Sequence, residues 1–434
     1  MRPKTFKIKS FGCQMNVYDG ERMVELLGAE GMTAAEADDA DLVVLNTCHI
    51  REKAAEKAYS DIGRLRREDG SKPLIALAGC VAQAEGAEAK RRSQMIDIVV
   101  GPQVYHRLPE MVAEASRGAR PVDTDLPPLS KFDAFPPRRR ANPSAFLTVQ
   151  EGCDKFCTYC VVPYTRGAEI SRPWSDIVEE AQSLVAGGAR EIVLLGQNVN
   201  AWAHECRGLA DLIRSLASID GLERIRYTTS HPADMTDDLI AAHGEVDKLM
   251  PYLHLPVQSG SNRILKAMNR SHTAESYLET IEKMRSARPD IALSGDFIVG
   301  FPGETDEDFD DTLRMVDAVG YAAAYSFKYS ARSGTPAATM EDQIPREIMD
   351  DRLQRLQARI NPHQLAFKRS KVCVETQILI ERKGRHEGQM IGRSPWLQSV
   401  HVDTAALPGE IVDVTLVGAG PNSMSGAVSQ KVAA

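Results

Sequence analysis

Ala145-Phe146-Leu147-Thr148-Val149-Gln150-Glu151-Gly152-Cys153-Asp154-Lys155-Phe156-Cys157-Thr158-Tyr159-Cys160 is the stretch on which the reading of this chain turns. Residues 145–150 predict a strand, and the three cysteines follow directly after it. Thiolates released together at the end of a strand can converge on one metal centre. A structural zinc site takes four protein ligands, and no fourth Cys or His lies nearby; downstream come Pro163, Tyr164 and Arg166. Three thiolates on a four-iron cubane leave one iron without a protein ligand, open to a small molecule. A zinc knuckle borrowing a distant ligand is the competing arrangement.

From this strand onward, βα units repeat. Strands are predicted at 145–150, 191–195, 224–228, 251–255, 291–299 and 322–329, with helices between them such as 175–186 and 305–319. Alternating strands and helices imply a parallel sheet. Six units are too few to close an eight-stranded barrel, so an open (βα)6 partial TIM barrel is expected. A helix at 346–360 leads away from it.

Upstream, the first ~115 residues alternate in the same way, which predicts an N-terminal parallel-sheet α/β domain. Strands fall at 5–10, 41–45, 73–78 and 95–100, with helices through Val24, Leu26 and Leu27 and over 51–68. Cys13 follows the first strand, Cys48 the second and Cys80 the third. The carboxyl ends of parallel strands share one sheet edge, where α/β folds bind ligands. These three cysteines are therefore expected to meet as a second set. Cys206 and Cys373 match neither set and are read as structural or incidental.

Residues 118–144 hold six of the 23 prolines and the triplet Arg138-Arg139-Arg140, which reads as a stiff linker. The triplet suits either a polyanion or plain solvation. From 369 to 434 the pattern becomes short strands with glycine turns, a small OB-like β-barrel of a kind that often binds nucleic acid. The expected division is 1–117, 118–144, 145–368 and 369–434. Net charge is -8, yet residues 351–434 hold 11 Lys and Arg against 7 Asp and Glu, a net of +4 that leaves -12 on the first 350. This suits an appended module that contacts RNA or phosphate, and equally a solvated surface on a small β-domain that packs against the catalytic part.

Of the 434 residues 43% are hydrophobic and 26% charged, an ordinary globular composition. No apolar run approaches ~18 residues, and the basic N-terminus lacks a signal-peptide core. A cytoplasmic protein without membrane contact is expected, its clustered cysteines being ligands and not disulfides.

With these features in place, Cys153-x3-Cys157-x2-Cys160 resembles the radical S-adenosylmethionine enzymes. Phe11-Gly12-Cys13-Gln14-Met15-Asn16, Asn46-Thr47-Cys48, Gly79-Cys80-Val81-Ala82-Gln83 and Cys160-Val161-Val162-Pro163-Tyr164-Thr165-Arg166-Gly167 together resemble the methylthiotransferase family. The order of domains, ending in a TRAM-type barrel, matches too, so the resemblance spans essentially the whole chain. Gly196-Gln197-Asn198-Val199-Asn200, Thr228-Thr229-Ser230-His231-Pro232, His254-Leu255-Pro256-Val257-Gln258-Ser259-Gly260-Ser261 and residues 296–305 resemble the branch that acts on isopentenyl-adenosine in tRNA. One departure is Tyr329-Ser330-Ala331-Arg332-Ser333-Gly334-Thr335, where relatives often carry proline at Ala331 or Ser333.

The resemblance implies two [4Fe-4S] clusters. One on Cys153, Cys157 and Cys160 binds S-adenosylmethionine, and an auxiliary one on Cys13, Cys48 and Cys80 carries sulfur. It implies S-adenosylmethionine as radical source and methyl donor, and as partners a tRNA anticodon stem-loop, an electron donor such as flavodoxin and a sulfur source. The protein is expected to be a monomer. The implied reaction is methylthiolation of C2 of N6-isopentenyl(dimethylallyl)adenosine at position 37. The hydrogen at C2 is not acidic, so the hard chemistry falls to cofactors, and the base must leave its stack.

Four of these stretches sit at the C-terminal ends of barrel strands, where such barrels place active sites. Tyr159, Gly196, Gln197, Asn198, Ser230, Gln258 and Ser259 are candidates for the S-adenosylmethionine pocket. A helix starting near Ser259 would offer amides to a carboxylate. Methylthiolation of threonylcarbamoyl-adenosine in tRNA or of a ribosomal protein is a sister reading, against which Gln14-Met15-Asn16 and Gly196-Gln197-Asn198 speak. A non-catalytic, metal-stabilised RNA-binding protein is the reading from another class. Colour separates it, since zinc sites are colourless and iron–sulfur protein is brown.

Overall fold

The computed structural model describes residues 3–35, 40–49, 52–67, 70–127, 131–136, 138 and 141–429. Two compact units emerge: one of 1–138, 150–156 and 160–172, the other of 139–149, 157–159 and 173–434.

In the first unit the chain forms β1 (Thr5–Ser10), α1 (Gln14–Ala29), β2 (Thr33–Ala34), β3 (Leu42–Thr47), α2 (Glu52–Arg64), β4 (Leu74–Gly79), α3 (Cys80–Glu85), α4 (Glu88–Arg92), β5 (Ile98–Val100), α5 (Leu108–Ser116) and β6 (Val122–Asp123). The six strands make one parallel sheet in the order β2-β1-β3-β4-β5-β6. Alternate side chains serve opposite faces. Val44, Ala76 and Ile98 pack with Met23 and Leu27 of α1, while Val43, Ile75 and Val99 pack with Ile62 of α2. Both faces are covered, so β3 is buried from end to end.

The described residues of 118–138 are tied to the first unit. β6 extends the sheet, and Lys131 is buried with its ammonium 2.9 Å from Glu151 and 3.8 Å from Asp19. Arg138 is buried and paired with Glu21 at 2.7 Å and Glu25 at 3.3 Å, so it is neither solvated nor held out for a polyanion. Charge pairing, which leaves no hydrophobic periodicity, anchors this segment. Arg139 and Arg140 lie outside the described residues.

Beyond β7 (Ser144–Thr148), the first unit regains the chain as β8 (Gln150–Glu151), α6 (Val162–Arg166) and β9 (Ile170–Ser171), with β8 antiparallel to β9. The second unit then runs through α7 (Trp174–Ala186), β10 (Glu191–Leu195), the hairpin β11 (Ala203–His204) and β12 (Arg207–Gly208), and α8 (Leu209–Ala217). It continues as β13 (Arg224–Tyr227), α9 (Asp237–Glu245), β14 (Tyr252–His254), α10 (Asn262–Ala267), α11 (Ala274–Ala287), β15 (Ala292–Val299), α12 (Asp306–Val319) and β16 (Ala323–Lys328).

β7, β10 and β13 form one parallel ladder, β14, β15 and β16 a second, and a bridge from Ile225 to Leu249 joins them. Among the described residues no ladder links β16 back to β7. The result is the expected open (βα)6 partial barrel, its outer face (Leu147, Ile192, Ile225, Leu253, Leu293) buried under the helices.

α13 (Arg346–Ser370) runs ten residues beyond the expected end and carries Pro362 inside it. Tertiary contacts hold the extension despite the missing backbone hydrogen bond: Phe367 packs on the C-terminal core, and Lys368 donates to the carbonyl of Pro421. β17 (Glu375–Lys383), β18 (Gln389–Arg393), β19 (Ser399–Asp403), β20 (Ile411–Ala419) and β21 (Met424–Val428) close into a small barrel in the order β17-β18-β19-β21-β20. Its core residues Ile378, Val400 and Val414 share one cluster with Tyr252, Ala292 and Ala322 of the partial barrel. The small barrel is thus packed against the partial barrel within the same unit.

Candidate active site

β1, β3 and β4 are neighbours and end at one sheet edge, and the loops after them carry Cys13, Cys48 and Cys80. Two glycines permit the close approach. A Cβ on Gly12 (φ +124°) would stand 2.1 Å from Cys48 Cβ, and one on Gly79 (φ +86°) 2.5 Å from Asn46 Oδ1 and from the Thr47 carbonyl oxygen. A buried lattice then ties the loops. Asn16 Nδ2 donates to Asn46 Oδ1 and to the Thr47 carbonyl, both at 3.1 Å, and Asn46 Nδ2 donates to the Asn16 carbonyl at 2.7 Å. Thr47 Oγ1 donates to the Ala78 carbonyl at 2.6 Å. Asn16 and Asn46 stand inside the cysteine motifs, but their role shows only once the strands are paired.

The structure brings the three thiols within mutual influence. A hydrogen bond from Cys48 pulls Cys13 down to about 6 against its burial, with help from the Arg166 guanidinium. Burial pushes Cys80 up, with Arg166 opposing and Cys13 adding to the rise. Arg166 itself is buried, 2.6 Å from Asp19 Oδ2 and 3.5 Å from Glu151 Oε1. Its place in the motif after Cys160 gives it no role in sequence; its neighbours in space do.

Among the described residues no three His, Cys, Asp or Glu side chains meet in the close geometry of a single-ion site. A cubane takes one thiolate per iron corner, which needs wider spacing than a single ion does. Three soft thiolates with no fourth ligand fit such a cluster better than zinc.

Cys153 and Cys160 belong to the first unit and Cys157 to the second. Gly152, at φ +74°, sits where a Cβ would be 1.9 Å from the Ala168 carbonyl oxygen, and Cys153 N donates to the Gly167 carbonyl at 3.3 Å. Phe156 takes φ +47°. Cys157 is buried, its Sγ 3.7 Å from Arg270 Nη1. Thr158 donates through N and Oγ1 to the carbonyls of Met268 and Ala267 at 3.0 and 2.9 Å.

The pocket candidates lie in the second unit, at the C-terminal ends of β10, β13 and β14 or, for Tyr159, on the cysteine loop. Gly196 is buried and Gln197 half-buried; Asn198 donates to Asp234 Oδ2 at 2.8 Å. Ser230 and its neighbour Thr228 have buried hydroxyls without a hydrogen-bond partner. Ser259 shares a hydrogen bond with Thr312 at 3.3 Å, and Tyr159 packs on Ile264, Met268 and Phe301. Thr229 (φ +60°) and Gln258 (φ +78°) adopt left-handed backbone. Such strain costs of order 1–3 kcal/mol each and gathers at functional sites.

The helix expected near Ser259 begins at Asn262, spans six residues, and has its amide at Ile264 taken by Ser261 Oγ. Past β15, Glu304 accepts from the amides of Gly300 and Phe301, and burial pushes its carboxyl up to about 7. Cys206 and Cys373 are exposed, on the β11–β12 turn and just before β17.

A partial barrel behind a three-cysteine loop, preceded by a second set of three, defines a radical S-adenosylmethionine enzyme. The Radical SAM superfamily model matches residues 147–316, and that of the uncharacterized protein family UPF0004 matches residues 5–101. The tRNA-2-methylthio-N(6)-dimethylallyladenosine synthase of Novosphingobium aromaticivorans is 70% identical over 430 residues, covering 98% of this chain and 97% of that one. Its namesake in Zymomonas mobilis is 67% identical over 429 residues, covering 98% and 96%. The chain belongs to this family of tRNA-2-methylthio-N(6)-dimethylallyladenosine synthases.

Solved structures share the fold alone. The radical S-adenosylmethionine methyltransferase TsrM of Kitasatospora setae superimposes with TM-score 0.57 at 15% identity, over 77% of each chain. The cobalamin-dependent radical enzyme OxsB gives 0.53 at 12% identity over 83% of this chain, which spans only 56% of that longer one. Membership of the superfamily brings a [4Fe-4S] cluster and S-adenosylmethionine as cofactors.

Proposed function

We propose that this protein methylthiolates C2 of N6-(dimethylallyl)adenosine at position 37 of tRNA, beside the anticodon. The observation that carries the reading is the meeting of Cys13, Cys48 and Cys80 at one sheet edge of a chain that also holds Cys153, Cys157 and Cys160. One set suffices to start a radical reaction; a second has a use when sulfur must be delivered.

Cys153, Cys157 and Cys160 would hold one [4Fe-4S] cluster, and Cys13, Cys48 and Cys80 a second. The clusters supply the electron and the sulfur, and S-adenosylmethionine supplies the radical and the methyl group. The chain's own part is positional. Gly12 and Gly79 let the loops close, Asn16 and Asn46 lock them, and burial of Cys48 and Cys80 keeps water away. Arg166 sets a fixed positive charge beside the auxiliary thiolates. The free hydroxyls of Thr228 and Ser230 stand ready for the polar groups of S-adenosylmethionine.

The target adenine must unstack from the anticodon loop to be reached. An electron donor such as flavodoxin and a sulfur source complete the cycle, and the enzyme works as a cytoplasmic monomer. No described helix is long and apolar enough to cross a membrane.

Anaerobically reconstituted protein with S-adenosylmethionine, reductant and a dimethylallylated anticodon stem-loop tests the assignment. Cys80→Ala should still form 5′-deoxyadenosine but no methylthio product, and Cys160→Ala neither. A Cys80→Ala protein that methylthiolates RNA overturns the division of labour. Product on threonylcarbamoylated RNA or on a ribosomal protein instead would move the substrate to the sister reading.

A further inference from the structure

The inner face of the partial barrel carries a cluster outside both cysteine sets that borders the candidate cofactor pocket, since Gln258 N donates to the Asp296 carbonyl and accepts at its own carbonyl from Ile298 N, both at 2.9 Å. Register places it: His254 pairs with Ser294, Asp296 with Tyr325 and Ile298 with Phe327. Residues paired across neighbouring strands share a face. The intervening Leu253, Leu293 and Phe297 fill the core under the helices, so the paired set faces the other way. His254 Nδ1 lies 3.0 Å from Ser294 Oγ, and its Nε2 lies 3.5 Å from Asp296 Oδ2. The Tyr325 ring meets His254 edge to face at 6.2 Å. Tyr325 is nevertheless 53% exposed and Phe327 41%, in the body of a parallel strand, with Ile298 half-buried beside them. Parallel strands of a closed barrel bury such rings; the missing closure leaves them bare.

A hydrogen-bonding pair on one side and bare aromatic rings on the other suit a flat heterocycle with a polar edge and an apolar appendage. We infer that this face binds the dimethylallyl-adenine base itself and selects it by its N6 substituent. The inference rests on the proposed function and adds which residues choose the substrate. Tyr325 and Phe327 take the purine and the branched five-carbon chain, and the His254–Asp296 pair takes the polar edge. Stacking tolerates any base, so selection comes from two other terms. The dimethylallyl chain adds apolar area to bury against Phe327 and Ile298. The Asp296 carboxylate repels an N6 substituent that carries its own carboxylate, as threonylcarbamoyl does. Attraction and repulsion thus act together, as specificity generally requires.

The test uses reconstituted full-length protein and two stem-loops, one dimethylallylated and one threonylcarbamoylated. Tyr325→Ala and Phe327→Ala should each raise KM for the dimethylallylated RNA about tenfold, the scale of removing one ring from a base stack, with KM for S-adenosylmethionine within about twofold. Tyr325→Phe keeps the ring and should restore the KM for RNA. Asp296→Asn should tighten binding of the threonylcarbamoylated RNA about tenfold, read by competition. An unchanged KM for RNA in both alanine variants overturns the inference. So does a large rise in KM for S-adenosylmethionine, which would give the face to the cofactor. Wild-type protein that leaves the dimethylallylated stem-loop untouched refutes the proposed function instead, so the two failures are distinguishable.

Discussion

Arg226 Nε donates to Glu191 Oε2 at 2.7 Å, with both side chains about 2% exposed. The same guanidinium donates to the carbonyls of Ser394 and Pro395 at 2.9 and 2.8 Å, and Arg224 reaches those of Arg393 and Gln377 at 2.7 and 2.8 Å. Two cations of β13 therefore fasten the C-terminal barrel to the partial barrel through backbone oxygens. Neither guanidinium is spare.

Arg226→Met leaves Glu191 buried without its partner. Losing one member of a buried pair costs about 3–5 kcal/mol, whereas an apolar replacement of both is often close to neutral. Urea denaturation should show a marked loss for Arg226→Met and only partial recovery in Arg226→Met/Glu191→Leu, because the carbonyls of Ser394 and Pro395 lose their donor in both. Equal stability of the single variant and wild type would contradict the coupling.

His243 is buried, with Nε2 2.7 Å from the Tyr227 hydroxyl, and burial, helped by the charge of Arg288, lowers its pKa to about 3. In the unfolded chain histidine titrates near ~6.5. Between these values the unfolded state takes a proton that the folded state refuses, so stability falls as pH drops below ~6.5. His243→Gln keeps a polar group beside Tyr227 without the titration. Its urea midpoint should depend less on pH between 7 and 5 than that of wild type; parallel curves would exclude His243 as a source.

Two three-cysteine sets predict about eight irons in the reconstituted protein, from two four-iron clusters. Cys157→Ala and Cys48→Ala should each retain about half, with complementary spectra. About four irons in the unmutated chain would sink the two-cluster assignment.

The cysteine sets were legible because each auxiliary cysteine follows a strand by a few residues, and the carboxyl ends of parallel strands necessarily share an edge. The six barrel strands were legible for a related reason, since each is a short apolar run before a helix. His254 and Asp296 stand within recognisable motifs, yet only the register of β14, β15 and β16 sets them beside Tyr325. Arg138 read as solvent-facing charge because ion pairs with Glu21 and Glu25 leave no periodic trace. β2 and β6, at two residues each, are too short for a pattern. The run of α13 through Pro362 reflects packing of its last turns, which outweighs local propensity.

The fastening of the C-terminal barrel also decides how its role should be tested. Deleting residues 369–434 would strip Arg224 and Arg226 of the carbonyls they satisfy, so a loss of RNA binding would be confounded with damage to the partial barrel. Arg382, Lys383 and Arg385 avoid this, because they lie exposed at the β17–β18 turn, within the stretch that carries the +4 balance. Each phosphate that a cation no longer neutralises lowers the slope of log K against log salt by about 0.7–0.9. Replacing all three by serine should weaken tRNA binding, flatten its salt dependence by about two units, and leave iron content and melting temperature unchanged. Titrations at two salt concentrations read both quantities. Identical affinities and slopes would place the RNA-contacting surface away from this turn.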